Sequence, residues 1–417
     1  MRRALPYIAA VIAFLAGLGI IAYFLFFTGA PNPRNGTTGG NPFGTSTTSA
    51  GSNGTGAQGG NSPANAGQGS SVGVIGSRLV RIDAGPVAPG MFIRYLAASS
   101  TPAGGASTTP QTAELDIRYV NRQTGNMYSR LFYKGITTRL TDATIPGIRD
   151  VVWSADGQTA YVRYISDTSA GGQIATYGLP ASGAAGFFLA SGIEQLLAAG
   201  ANSLLALAAG DTGSTVFTSA ADGSSRKALI ASPLSSVRIG EAGTGRLLVT
   251  TMPSASVGGY AYLADEKSGA WTRILGPLPG LIALPSPTGA YVLASYDDAS
   301  GLPVLELYDV AAHQATTLPL RTLADKCAWG PTDADAYCAV PTDLPKAAYP
   351  DDWYQGAMSF SDKLWKIDVT NRFTKLIVDF KAATGSDLDG ESLTTDSHDE
   401  MLTFVNKTDR SLWAYDL

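Results

Sequence analysis

Residues able to do chemistry are scarce in this 417-residue chain, which has two cysteines, two histidines and 34 carboxylates against 29 Lys and Arg. Cys327 and Cys338 lie five residues either side of a turn at Thr332-Asp333, a symmetry that sets them opposite each other in a hairpin. In an oxidising compartment such a pair reads as a disulfide, with buried free thiols as the plainer alternative. No third or fourth ligand accompanies them, and a zinc ribbon or iron–sulfur cluster needs more thiolates than the chain holds. His313 and His398 read as exposed turn residues, and no Gly-x-Ser-x-Gly elbow precedes a helix, so a Ser-His-Asp triad is not expected. Asp387-Leu388-Asp389-Gly390-Glu391 gathers three carboxylates but lacks the further ligands of a calcium loop, and it reads as a solvated acidic loop. The adjacent pairs Asp297-Asp298 and Asp351-Asp352 set no useful separation across a glycosidic bond. The expectation is therefore no catalytic set, no metal site and no cofactor.

The strongest recognition candidate is the stretch 349–356. Tyr349, Asp351, Asp352, Trp353, Tyr354 and Gln355 combine aromatic surface with the hydrogen-bonding groups found at binding hot spots. The competing expectation is a folded flap whose Trp353 packs into the body of the protein and plugs it.

These residues must be positioned by strands. Beyond residue 77 the chain is a series of short β-rich runs between Gly, Ser, Asp and Pro turns, with almost no helical periodicity. Tight turns recur after apolar runs, and from Gly157 the steps to Gly200, Gly245, Gly289 and Asp333 are 43, 45, 44 and 44 residues. Strands ending in Asp265 and Asp309 are again 44 apart, with Asp368 and Asp416 ending similar runs. Four strands and four turns fill such a period, so each unit predicts one blade of an all-β, seven-bladed β-propeller, with six or eight blades as alternatives. The units run 85–141, 142–186, 187–230, 231–275, 276–320, 321–380 and 381–417. The last stops after its third strand, while 78–83 is similar to the fourth strands 271–275 and 374–378. This predicts that the N-terminal strand completes the C-terminal blade and closes the ring. An excess of about 21 residues in the sixth unit falls between its second and third strands and carries the aromatic stretch to one rim. The Gly- and Ser-rich excursion 99–112 would emerge on the same rim if 115–120 is a third strand.

The stretch Val152-Trp153-Ser154-Ala155-Asp156-Gly157 resembles the W-S-P-D-G repeat of TolB-type, WD40-like bacterial propellers, with Ala155 in place of Pro. Pro285-Ser286-Pro287-Thr288-Gly289 and Trp329-Gly330-Pro331-Thr332-Asp333 are partial copies. The resemblance implies a propeller over most of 78–417 and leaves activity open, because the fold serves unrelated functions. The layout, with 349–356, also resembles membrane-anchored propellers of reduced-genome bacteria, a likeness that implies no activity.

Ahead of the repeats, residues 8–27 carry no charge and are long enough to cross a hydrocarbon core of about 30 Å. With Arg2 and Arg3 before them, they predict a transmembrane signal anchor over 1–30, N-terminus cytoplasmic and the remainder extracytoplasmic. A cleaved signal peptide ending near Thr28-Gly29-Ala30 is the alternative. Residues 31–76 are almost all Gly, Ser, Thr, Asn, Ala and Pro and read as a disordered linker reaching about 35–40 Å. The propeller domain is then 77–417. A net charge of −5, with 10 basic and 17 acidic side chains in 321–417, disfavours nucleic acid. The sequence thus predicts a membrane-anchored, non-enzymatic binding module for a protein or cell-envelope glycan. The alternatives are an envelope hydrolase or lyase with carboxylates in the propeller mouth, and a structural subunit of a secretion or pilus-like assembly.

Overall fold

A strand flanked by neighbours on both faces of its sheet is buried along its whole length, and second strands of the blades have this character even where, as in Glu114–Val120, Glu114, Asp116 and Arg118 are among the buried residues. Glu114–Val120, Asp335–Pro341 and Met401–Asn406 are buried at nearly every position. The computed structural model describes residues 78–97, 113–166, 172–210 and 212–417. The anchor expected over 1–30 and the linker expected over 31–76 lie outside them. Among the described residues no helix is long and apolar enough to cross a membrane.

The described chain forms seven four-stranded antiparallel sheets in sequence order, a seven-bladed β-propeller. Blade 1 runs from Phe92–Leu96 to Ile136–Arg139, blade 2 from Ile148–Trp153 to Phe187–Phe188, and blade 3 from Ile193–Ala199 to Lys227–Ser232. Blade 4 runs from Val237–Glu241 to Trp271–Pro279, blade 5 from Ile282–Pro285 to Gln314–Thr317, and blade 6 from Cys327–Trp329 to Phe373–Asp379. Blade 7 takes Gly390–Thr395, Met401–Asn406 and Leu412–Asp416 from the C-terminus and Leu79–Asp83 from the N-terminus. The closure expected from sequence is therefore present, with Leu79 paired to Tyr415 and Val80 to Ala414. Each blade lies within a few residues of its expected unit.

The repeated turn has a local cause. In Ser154-Ala155-Asp156-Gly157 the Ser154 hydroxyl donates to Asp156, whose carboxylate accepts the Gln158 amide, and Gly157 supplies the left-handed φ of +68°. The tryptophan ahead of the turn ties one blade to the preceding one: Trp153 Nε1 donates to the Gly90 carbonyl and Trp329 Nε1 to that of Leu284, both at 3.2 Å. The third strands of blades 4 to 7 end at Asp265, Asp309, Asp368 and Asp416. The first three of these carboxylates accept backbone amides of the following turn, from Ser268, Ala312 and Asn371. Cys327 and Cys338 are register partners in the first two strands of blade 6 and form the disulfide.

One expectation fails. Glu114–Val120 is the second strand of its sheet, not the third, so the condition that would set 99–112 on the rim of the aromatic stretch is not met; residues 98–112 lie outside those described.

The closing strand buries Leu79 in the cluster of blades 6 and 7 and Ile82 in that of blades 7 and 1, and it covers the Leu412–Asp416 edge. Deleting 79–83 removes two buried aliphatic side chains, at about 1.5–3 kcal/mol each, and one ladder of hydrogen bonds. The expected result in chemical denaturation is a midpoint lowered by several kcal/mol equivalent, and an unchanged midpoint would show that the ring does not depend on this closure.

Candidate functional site

The connection 342–361 of blade 6 leaves its second strand at Pro341 and returns at Asp362, and it folds into a flap on that rim. Its short helix α1 (Asp351–Tyr354) opens on two carboxylates, which favour the N-terminal end of the helical turn. Tyr349 and Phe360 stack at 6.3 Å between ring centroids, and Trp353 stacks on Phe360 at 6.5 Å. These three side chains join Ile282, Leu323 and Ile367 in one buried cluster that spans blades 5 and 6.

Beneath the flap lies a charge that the sequence did not single out. Lys326, just ahead of the first strand of blade 6, is fully buried. Its ammonium sits 2.8 Å from Asp362, is paired with Asp389, and donates to the Gly390 carbonyl at 3.0 Å. It also lies 4.9 Å from the centre of the Trp353 ring and 5.0 Å from that of Phe360. Burial pulls its pKa down, but the two carboxylates outweigh burial and hold it above the ordinary lysine value. Burial pushes the Asp362 carboxyl up, while Lys326 acts in the opposite direction. Trp353 Nε1 and the Phe360 amide both donate to Asp389 Oδ2 at 3.0 Å, and the Gly390 amide donates to Asp362 at 2.7 Å.

The flap reaches other blades as well. The Tyr354 hydroxyl donates to Asp325, which also takes Arg238 of blade 4 at 2.8 Å, and the Arg238 guanidinium lies over the Tyr354 ring. Burial, then Asp325, raises the Tyr354 phenol well above its ordinary range. Asp351 accepts the Ala255 amide of blade 4 at 2.7 Å, and Lys407 of blade 7 lies 5.0 Å from the Trp353 ring centre.

The structure therefore brings the six candidate residues together but divides their roles. Tyr349 and Trp353 are buried, at 0% and 4% exposure. Asp351, Trp353 and Tyr354 spend their polar atoms on other blades, and Asp352 accepts the Ala348 amide within the flap. Gln355 is exposed. The acidic loop is not uniformly solvated: Asp387 is exposed beside Lys381, whereas Asp389 is buried and Glu391 is paired with Arg410. No spacing rule finds Lys326, because its two partners are 36 and 63 residues away. His313 and His398 sit in separate turns, as expected. Ser397 and Asp396 both approach Nδ1 of His398, at 3.1 and 3.9 Å. A nucleophile–base–acid relay needs the two on opposite ring nitrogens. Among the described residues no group of three or more His, Cys, Asp or Glu side chains is placed to hold a metal ion.

No protein-family model matches the chain, and no curated protein matches it either. Solved structures do. An oligogalacturonate lyase from Vibrio parahaemolyticus is similar at 7% identity, with 79% of this chain and 98% of that one covered and a TM-score of 0.48. The β-propeller domain of the Trilobed protease from Pyrococcus furiosus is similar at 10% identity, covering 73% and 89%, with a TM-score of 0.46. TolB from Acinetobacter baumannii is similar at 14% identity, covering 68% and 62%, with a TM-score of 0.41.

Trp353→Ala is expected to lower the free energy of unfolding by about 3–5 kcal/mol. Lys326→Met, which strands two buried carboxylates, should cost about the same. Urea denaturation of each variant measures both, and a Trp353→Ala protein as stable as the parent would show that the indole does not anchor the flap.

Proposed function

We propose that the protein is an extracytoplasmic binding module, tethered to a membrane by its N-terminal segment, that captures a protein partner on the outer surface of the flap. The observation that carries this reading is the cost of the flap itself. A surface connection needs no buried ammonium, and this one is fixed to blades 4, 6 and 7 through Lys326, Asp325, Arg238, Ala255 and Lys407. Rigid presentation of a loop reduces the ordering entropy of association. A protein is favoured over a glycan because Tyr349 and Trp353, whose ring faces a sugar would stack on, are buried.

The chain path supports the same reading. Asp416 N donates to the Arg78 carbonyl and Leu417 N to that of Glu400, so the described chain enters at the rim of the first-to-second-strand turns. The flap lies on the other rim, opposite the point where the described chain enters. The enzymatic alternative asks for several free carboxylates together. Asp325, Asp362, Asp389 and Glu391 are instead each paired with a cation, Asp298 with Arg321 and Asp351 with the Ala255 amide, which leaves Asp297 unpaired at the far end of the flap.

Lys346 and Gln355 are exposed on the flap, so changing them should not disturb the fold. The test is capture from detergent-solubilised envelope with the full chain as bait, against a Lys346→Glu, Gln355→Ala bait. Proteins enriched by the parent and lost from the variant are expected. Equal capture by both would remove the flap as the contact surface, enrichment of glycans alone would replace the partner class, and no capture would sink the binding reading.

A further inference from the structure

The far end of the flap meets blades 4 and 5 at a junction crowded with carboxylates. Gly280, between these blades, has a φ of +66°, and a Cβ added there would lie 2.8 Å from the Tyr349 carbonyl and 3.0 Å from Asp297 Oδ2. Backbone of the flap, the blade 4–5 connection and the end of the second strand of blade 5 (Tyr291–Asp297) therefore touch at one point. Asp351 reaches across this junction to the Ala255 amide. The negative charges of Asp298 and Asp351 both act on Asp297 there.

The three carboxylates are unequally provided for. Asp298 accepts the Ser300 hydroxyl and takes Arg321 at 2.9 Å, which hold its carboxyl well below the usual range. Asp351 has its amide. Asp297 makes no hydrogen bond or ion pair among the described residues, and Arg321, the nearby cation, is committed to Asp298 and the Pro303 carbonyl. The other groups facing Asp297 bring no positive charge. Tyr349 and Asp352 lie on the flap, with the phenol pushed up to about 12 by burial and then by Asp297. Pro303 is the register partner on the adjacent strand.

We infer that this junction is a pH-dependent latch, in which a proton on Asp297 lets the Tyr349–Asp351 end of the flap close against blades 4 and 5 and loss of that proton loosens that end, while the part held by Lys326 and Asp389 stays in place. The inference concerns closure and stands whether or not the flap binds a partner. Burial, then Asp298 and Asp351, raises the Asp297 carboxyl to about 7 with the flap closed. Opening that end removes Asp351 and part of the burial, returning Asp297 towards about 3.9. The closed state thus holds a proton that the open state releases. Closure is strongest below about pH 4, weakens as pH rises to about 7, and is flat above that. Asp297 is half-buried, so water screens part of this effect, and a change on the order of tenfold in the closed-to-open ratio is expected.

Hydrogen exchange of the full chain in detergent micelles, at about pH 5.5 and about pH 8.5 with intrinsic rates corrected, reads this directly. The Ala255 amide and those of Tyr349, Asp351 and Asp352 should lose on the order of tenfold in protection at the higher pH, while the blade 2 strands Thr159–Ser166 and Gln173–Pro180 serve as reference. Asp297→Asn should abolish the difference. If that variant does not fold, Asp351→Asn should shrink it. No difference in the parent, or an undiminished difference in the foldable variant, overturns the latch.

Discussion

One buried ammonium decides how the sixth blade is built. Moving a lysine out of water costs several kcal/mol even after relaxation, and it is tolerated only where opposite charge and hydrogen bonds replace the lost hydration. Lys326 has two carboxylates, which leaves the group with an excess negative charge. The excess is met by donors rather than by a second cation: Trp353 Nε1 and the Phe360 and Gly390 amides all point at the carboxylate oxygens. Two of those donors belong to the flap. The flap is thus part of the solvation shell of a charge in the blade, and its conformation follows from that charge.

Elsewhere among the described residues no ammonium is fully buried, although blade 1 buries Asp116 against Arg118 at 3.0 Å in its second strand. The other blades repeat one solution in which an apolar second strand lies between neighbours and a tryptophan or leucine precedes the turn. An outer strand then meets water, as in Ile136–Arg139, which is exposed throughout. This solution repeats with the chain, so it leaves a period in the sequence. Blade 1 departs from it, and its Glu114–Val120 strand was harder to place because the turn motif marking other blades is missing there.

That difference explains what the sequence disclosed. Periodicity located seven blades, the closing strand, the disulfide partners and the flap, since each rests on short spacings: five residues either side of a turn, 44 from one turn to the next, about 21 in excess. The inner organisation of the flap was not legible. Trp353 read either as a contact residue, because aromatic and acidic neighbours resemble a hot spot in one dimension, or as a side chain packed into the body, and its burial agrees with the second. In three dimensions its indole N–H is taken by Asp389, 36 residues on. Asp389 looked solvated because it stands among acidic residues, yet its charge is answered by Lys326, which no local pattern connects to it. Side chains that meet only through the blade stack leave no spacing to read.

The closing strand has a consequence beyond stability. It traverses the whole height of blade 7, from Leu79 beside Tyr415 to Asp83 beside Leu412, before the chain starts blade 1. A chain that closes its ring with its own N-terminal strand must enter on the rim where the third strand of the last blade ends, which here is the rim of the first-to-second-strand turns. Any second-to-third-strand connection then lies at the opposite end of the ring. The excess residues of blade 6 form such a connection, so the strand that closes the ring also sets the flap on the rim opposite the one where residue 78 enters.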